Sequence, residues 1–240
     1  KGVPNEKIHL TIRRCNQLID LSVVPDEIAI PSITHTQLVG DSTVYIAINQ
    51  FNSHTSKEFL DSLERYHESG VLRHLIVDLR GNPGGYLQEA VLLLNQFFDE
   101  KGVELVYTEG NNSPKRVHKT SGRPYLQIDQ LYILIDENSA SASEIVAGAV
   151  QDLDRGIIVG RRSFGKGLVQ EQYDLRNGGA LKLTIARYHI PSGRVVQKAF
   201  TSLDDYNAEV NRRAYSGEWL NQDAMPMPDT TTFHSSHGRI

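Results

Sequence analysis

The chain has 240 residues, of which 39% are hydrophobic and 22% are charged, and its formal net charge at pH 7 is -4. This composition is typical of a soluble globular protein with one large domain or two small ones, whose core needs no metal or disulfide. Lys and Arg are scattered along the chain, so the sequence lacks the basic stripe of a nucleic-acid-binding protein.

The N-terminal region contains two alternating patterns, IHLTIRR and LIDLSVV, separated by a short polar turn. They predict two antiparallel strands, which cannot form a stable sheet alone. We therefore expect part of this small sheet to lie outside the 240 residues. The single cysteine, Cys15, has no partner for a disulfide or a zinc site, and we expect it to be a packed strand residue.

From Pro31 onward, strand patterns alternate with helix patterns, which indicates an α/β fold. The predicted strands are VYIAINQF, RHLIVDLR, VELVYT, LYILID and GIIVG, and the predicted helices are SKEFLDSLERYHESG, YLQEAVLLLNQFFDE and EIVAGAVQDL. Thr55 and Glu58 have the spacing of a capping box. A polar loop is predicted from Glu109 to about Arg123. Further on, LVQEQYDL and ALKLTIARYHI flank a hairpin turn, and DDYNAEVNRRAY predicts one short helix before a polar tail.

The segment GRRSFGKGLVQ has glycines and a lysine at the spacing of a phosphate-binding loop. Gly167, however, occupies the position of the metal-binding Ser or Thr, and the residues after it alternate like a strand instead of forming a helix. Nucleotide binding is therefore disfavoured. Lys166 is either an exposed lysine in a glycine turn or a base in the protein interior, where desolvation would lower its pKa.

A nucleophile for such a base is offered by ENSASASEIVAGAVQDL, with Ser139, Ser141 and Ser143 between a predicted strand and a predicted helix. These serines either cap the helix or hold a nucleophilic hydroxyl near helix amides that stabilise an oxyanion. The loop GNPGG is a second source of backbone amides, or an ordinary connection between strand and helix.

Four segments occur in the order found in the carboxyl-terminal processing (tail-specific) serine peptidases: DLRGNPGG, NSASASEIVAGAVQD, GRRSFGKGLVQ and YHIPSGRVVQ. The sequence resembles this family over roughly residues 1–200. The resemblance implies an α/β fold with a ClpP/crotonase-like superhelical core and a mixed sheet. It also implies a serine endopeptidase that cleaves polypeptide substrates near their C-termini, without a cofactor or metal.

The resemblance assigns roles to individual residues. Ser141 is the implied nucleophile, Lys166 the base and Gln170 the residue that orients the lysine. The implied oxyanion hole combines the amide of Ala142 with that of Gly84 or Gly85, between which the sequence does not decide. The chemistry is then hydrolysis through an acyl-enzyme.

The resemblance also implies a domain organisation. Residues 1–30 resemble the end of a PDZ-like region, residues 31–200 form the peptidase core, and residues 201–240 form a C-terminal extension. The extension is similar to that of Bacteroides-like members, which implies a periplasmic or cell-envelope location. The sequence predicts no membrane span and no nucleic-acid partner, and it does not indicate the oligomeric state.

Two other readings remain open. The chain could be a catalytically silent peptide-binding module of the same fold, or a Ser/His hydrolase that uses His54, His74 or His189. His234 and His237 form a short H-x-x-H pair, but no clear third metal ligand accompanies them.

Overall fold

A computed structural model describes residues 6–26, 28, 30–221, 224–225 and 232–239. It divides into two compact units, one ending at Pro31 and one beginning at Ser32. The first unit contains strands β1 (Ile8–Arg14) and β2 (Gln17–Val23), which pair antiparallel as the alternating patterns predicted.

Cys15 lies in the turn between these two strands and not within a strand. Cys15 and Asn16 have positive φ angles of 48° and 61°, which a tight reversal of the chain requires. The Cys15 side chain is exposed. The prediction of a packed strand cysteine is therefore wrong, because Cys15 is a turn residue with an exposed side chain.

The second unit contains the remaining strands and helices. The strands are β3 (Ile33–Val39), β4 (Thr43–Ile48), β5 (His74–Asp78), β6 (Lys101–Gly110), β7 (Ser113–Ser121), β8 (Gln130–Ile135), β9 (Ile157–Gly160), β10 (Leu168–Asp174) and β11 (Ala180–His189). The helices are α1 (Thr55–Glu68), α2 (Leu87–Leu94), α3 (Ala142–Asp152) and α4 (Leu203–Tyr215). The α/β fold is confirmed.

The central sheet has the strand order β3-β4-β5-β8-β9. β4, β5, β8 and β9 are parallel, and β3 is antiparallel to β4. The parallel strands carry the apolar runs of the sequence, because burial in a covered sheet favours such runs. The core contains the buried side chains of this sheet and of helices α1, α2 and α3, including Val44, Ile46, Ile48, Phe59, Leu63, Leu75, Val77, Leu93, Ile133, Ile145 and Val146.

A second sheet has the order β10-β11-β6-β7 and is antiparallel throughout. β7 lies where a polar loop was predicted. Its side chains are mostly polar and exposed, so the sequence carries no apolar signal, but pairing with β6 satisfies its backbone. The strand β3 also has no counterpart among the predicted elements.

The start of α1 differs from the predicted capping box. The Thr55 hydroxyl bonds to Ser32 and to the Asn52 carbonyl, and the Glu58 carboxylate accepts hydrogen bonds from the amides of Ser32 and Ile33. Both side chains therefore join the helix to the beginning of β3. The capping-box prediction is wrong because distant backbone groups bind the two side chains that the local pattern had paired.

Candidate active site

Three loops meet along one edge of the central sheet. They follow the carboxyl ends of β5, β8 and β9, which are adjacent parallel strands. The first loop contains GNPGG, the second contains the three serines, and the third contains Lys166. Sites in open α/β sheets form at this edge, because the loops of neighbouring strands converge there.

Ser141 differs from the two serines that flank it. The Ser139 hydroxyl donates to the Leu79 carbonyl at 2.8 Å, and the Ser143 hydroxyl donates to the Asn82 carbonyl at 3.1 Å. Both of those serines are fully buried, and Ser141 retains 9% exposure. Ser139 and Ser143 are thus structural, and Ser141 is the serine that the chain presents at the sheet edge.

The backbone of Ser141 is strained. Its φ of 55° and ψ of -113° at the N-cap of α3 lie in a backbone region that residues other than glycine rarely adopt. Such strain persists where the surrounding structure enforces it, and it is concentrated at functional sites. The sharp turn places Ser141 at the positive end of the α3 dipole.

The GNPGG loop packs directly against this turn. A Cβ atom on Gly84 would lie 2.6 Å from the Ala140 carbonyl oxygen and 2.8 Å from the Ala142 nitrogen. Only glycine allows this approach, and its φ of 94° requires glycine as well. The buried Asn82 side chain holds the loop by donating to the Ile48 carbonyl and accepting from the Gly84 amide.

These contacts distinguish the candidate oxyanion donors. The Gly84 amide is already bound to the Asn82 side chain at 2.8 Å. Within the described residues, the amides of Gly85 and Ala142 have no hydrogen-bond acceptor. Ala142 is the first residue of α3, where helix amides have no partner inside the helix.

A buried carboxylate, Glu144, joins Ser141 to the lysine loop. Its Oε2 accepts hydrogen bonds from the backbone amides of Ser141 and Lys166, each at 2.8 Å. Its Oε1 accepts from the Gly165 amide at 2.6 Å and from the Ser163 hydroxyl at 2.7 Å. Because the backbone nitrogens of Ser141 and Lys166 bind the same oxygen at 2.8 Å each, these two nitrogens are at most twice 2.8 Å apart.

The prediction of site residues did not include Glu144. A signal was present in the sequence, because Ser141 and Glu144 have capping-box spacing, and the Glu144 carboxylate does bind the N-cap amide. The further bonds to residues 163–166 depend on tertiary structure, so local spacing could not predict them.

The side chains of Lys166 and Gln170 are exposed. Of the two alternatives for Lys166, the interior position is therefore wrong, because the glycines bring the backbone inward and leave the side chain uncovered. Gly167 is the buried neighbour, and its amide donates to the Gln197 side chain at 2.9 Å. The pairing of β10 with β11 shifts in register between Val169 and Gln170, and the extra residue, Ile185, lies on β11.

An ion pair between Arg80 and Asp78 lies directly before the GNPGG loop. Arg80 donates through its guanidinium to both carboxylate oxygens of Asp78, and the Tyr45 hydroxyl donates to Asp78 at 2.6 Å. Burial alone would raise the pKa of Asp78, but the bonds from Arg80 and Tyr45 outweigh it and lower the pKa below the usual value. Asp78 thus stays ionised and holds the chain at the exit of β5.

Comparison with known proteins identifies the family. Residues 42–204 match the family model described as Peptidase family S41. The chain belongs to peptidase family S41. A CtpA-like serine protease of Staphylococcus epidermidis is 35% identical over 236 residues, covering 98% of this chain and 45% of the relative.

Two further S41-type proteins are similar. The carboxyl-terminal-processing protease of a Picosynechococcus strain is 31% identical over 202 residues, covering 82% of this chain and 48% of the relative. The photosystem II D1 C-terminal processing protease has a TM-score of 0.62 and 26% identity, covering 82% of this chain and 54% of that chain. The S41 chain therefore spans about half the length of the curated relatives it matches.

The predicted family and α/β fold are confirmed by these comparisons. The PDZ-like remnant and the Bacteroides-like relationship remain predictions. No helix in the described part of the S41 chain is long and apolar enough to span a membrane.

The structure bears on the other readings of the site. The lysine loop leads into strand β10, so the helix that phosphate binding needs is replaced by a strand. His54 hydrogen-bonds to the neighbouring Ser53, and His189 stacks on Tyr107 with ring centroids 4.4 Å apart. Within the described residues, no histidine is hydrogen-bonded to Ser141. His237 instead contacts Asp154.

Proposed function

We propose that this chain is the catalytic part of a serine peptidase in which Ser141 is the nucleophile and Lys166 is the general base. The observation that supports this most strongly is the shared Glu144 oxygen, which accepts from the amides of both residues. A base must lie within reach of the proton that it removes, and two main chains held this close allow a lysine side chain to reach the serine hydroxyl.

In the proposed reaction, the neutral Lys166 amine takes the Ser141 hydroxyl proton as the oxygen attacks the scissile carbonyl. The oxyanion that forms is stabilised by the amides of Gly85 and Ala142, of which Gly85 is favoured over Gly84 because the Gly84 amide is occupied. Lys166 then gives the proton to the leaving amine, and a serine ester remains. Water hydrolyses this acyl-enzyme and restores the serine.

Gln170 has the role of orienting the Lys166 amine in this proposal. The support for this role is that Gln170 lies four residues after Lys166 and that both side chains are exposed near the start of β10. A polypeptide lying across the sheet edge would cover the exposed lysine and exclude water from the proton transfer.

We further propose that the substrates are polypeptides cut near their C-termini in the periplasm or cell envelope, with a PDZ-like region assisting recognition. The support is the similarity to relatives that are named for C-terminal processing. A catalytically silent module that only binds peptides is the competing possibility. It is less favoured because the strained Ser141 backbone would then have no use.

The test is hydrolysis of a quenched fluorescent peptide by the wild type, Ser141→Ala and Lys166→Ala, with Lys182→Ala as a matched control on the exposed part of β11. We expect the first two variants to lose at least about 1,000-fold in turnover, because they lack the nucleophile or the base. Lys182→Ala should match the wild type.

Circular dichroism would show that the variants remain folded. The same peptide with a free and with an amidated C-terminus tests the substrate proposal, since C-terminal recognition requires faster cleavage of the free acid. Peptide binding without cleavage by the wild type would contradict the proposed activity. Equal rates for the two peptides would contradict C-terminal recognition alone.

A further inference from the structure

The lysine loop, residues 161–167, lies between the end of β9 and the start of β10. Most of its backbone polar groups have no sheet partner and must be satisfied by other groups. On one side, Glu144 accepts from the amides of Gly165 and Lys166. The carbonyls of Arg162 and Ser163, at the start of the loop, are bound from helix α4.

Those carbonyls are bound by Arg213 on α4. Its guanidinium donates to the Ser163 carbonyl at 2.9 Å and also to the Arg162 carbonyl. The Arg213 side chain is only 4% exposed. A buried guanidinium with two carbonyl acceptors fixes their positions, because its donors have a rigid planar geometry.

Glu218 completes this arrangement. It accepts from Arg213 Nε at 2.9 Å and from the Arg162 side chain at 2.8 Å, and its own side chain is 4% exposed. The hydrogen bond from Arg162, together with the charges of both arginines, lowers the pKa of Glu218. The carboxylate pairs with both arginines, and Glu209, 3.3 Å from Arg162 and 3.9 Å from Arg213, supplies a second negative charge, so burial of the Arg213 guanidinium does not leave a lone charge.

Lys198, which precedes α4, connects that helix to the middle of the lysine loop. The Lys198 amide donates to the Gly165 carbonyl at 2.9 Å. The Lys198 ammonium lies 3.3 Å from Glu209 of α4 and 4.0 Å from the centroid of the Phe164 ring. A Cβ on Gly165 would lie 2.8 Å from Lys198 Cβ, so the loop and this segment are in close contact.

We propose that Arg213 is a positioning residue for Lys166, acting through the carbonyls of Arg162 and Ser163. This inference rests on the proposed function. Glu144 holds the amides of the loop from the α3 side, and Arg213 holds its carbonyls from the α4 side. Displacement of a reacting group by about 1 Å can lower the rate about 100-fold. Loss of the bonds from Glu144 or from Arg213 therefore reduces turnover.

A merely structural role for Arg213 would lower stability without changing the catalytic step of the folded enzyme. A positioning role lowers kcat and leaves KM unchanged, because substrate binding does not depend on the proton transfer. It also alters the pH profile of kcat, since a displaced lysine has different neighbours.

The experiment compares Arg213→Lys with Arg212→Lys in the 240-residue chain. Arg212 is on the same helix, but its side chain is exposed and, among the residues that the structure describes, donates only to Asp205. Lysine keeps the charge at position 213, but its single nitrogen cannot bind two carbonyls and Glu218 in the same geometry. We expect kcat of Arg213→Lys to fall at least about tenfold with KM within about twofold of wild type, and Arg212→Lys to be unchanged.

Wild-type kcat and pH profile in Arg213→Lys would overturn the proposal, as would an equal loss in Arg212→Lys. If Arg213→Lys does not fold, Glu218→Gln is measured in its place. We expect the kcat of Glu218→Gln to fall about threefold, and an unchanged kcat would overturn the proposal. Lys166→Ala serves as the reference. If wild type and Lys166→Ala have the same activity, the proposed function fails, whereas an active wild type with normal Arg213→Lys overturns only the positioning role.

Discussion

At the residue scale, the candidate site depends on the different surroundings of three closely spaced serines. Ser139 and Ser143 donate to carbonyls that belong to the GNPGG region, and they hold that loop against the start of α3. Ser141, between them, has the strained backbone and borders Gly84. The neighbouring serines therefore help to impose the conformation in which Ser141 is presented.

The close approach of Gly84 leads to a paired prediction. Gly84→Ala and Gly81→Ala both place a side chain at positive φ, but a Cβ at Gly81 meets no atom within 4 Å. We expect Gly81→Ala to cost about 1 kcal/mol in the free energy of unfolding, from backbone strain alone. Gly84→Ala should cost at least about 2 kcal/mol more and reduce peptide hydrolysis, because the loop must move away from Ala140 and Ala142.

Urea denaturation and the peptide assay measure these two effects. Equal unfolding free energies for the two variants would show that Gly84 is not in close contact with the serine turn.

At the element scale, the apolar strands and the amphipathic helices were predictable, but elements stabilised by distant partners were not. Strands β8 and β9 were predicted directly from the segments LYILID and GIIVG, because both segments are apolar runs with the length of a strand. β7 was missed because its polar side chains are exposed and only its backbone is paired. Glu58 was misassigned because it binds the start of β3 and not the end of its own helix.

The turn between α3 and β9 gives a pH prediction at this scale. Burial alone would raise the pKa of Asp154, but bonds from the His237 amide and from the side chains of Ser235 and Arg239 lower it to about 2. A carboxylate whose pKa is lowered in the folded state stabilises its contacts when ionised. Attachment of residues 235–239 is therefore complete above the ordinary pKa of 3.8 and is lost as the pH falls toward about 2.

An NMR titration of the His237 amide measures this transition. We expect a midpoint near 2, and a midpoint near 3.8 would contradict it. Asp154→Asn should release the segment at every pH, whereas Asp204→Asn on the exposed start of α4 should leave the midpoint unchanged.

At the scale of the whole molecule, the Ser32–Ile240 unit brings together loops that are far apart in sequence. Parallel β5, β8 and β9 bring the GNPGG loop, the serine turn and the lysine loop to one edge. Helix α4 then reaches the same place from the C-terminal side through Arg213. The candidate site is thus a product of sheet order, which also explains why the bonds of Glu144 to residues 163–166 could not be predicted from local spacing.

The sequence was informative about which residue types form the candidate site, because glycine loops, serines and a lysine occur at the ends of apolar runs. It could not decide between Gly84 and Gly85, since the answer depends on the Asn82 side chain that binds the Gly84 amide. It also left open whether Lys166 is exposed or interior, and the structure shows an exposed side chain whose backbone amide binds Glu144.

Ser141 is the proposed nucleophile of this site. The most direct measurement is reaction of the folded chain with a fluorophosphonate probe, followed by peptide mapping of the modified residue by mass spectrometry. We expect the label on Ser141 alone, its loss in Ser141→Ala, and its retention in Ser139→Ala and Ser143→Ala that remain folded. Equal labelling of the wild type and Ser141→Ala would contradict the assignment of Ser141 as the nucleophile.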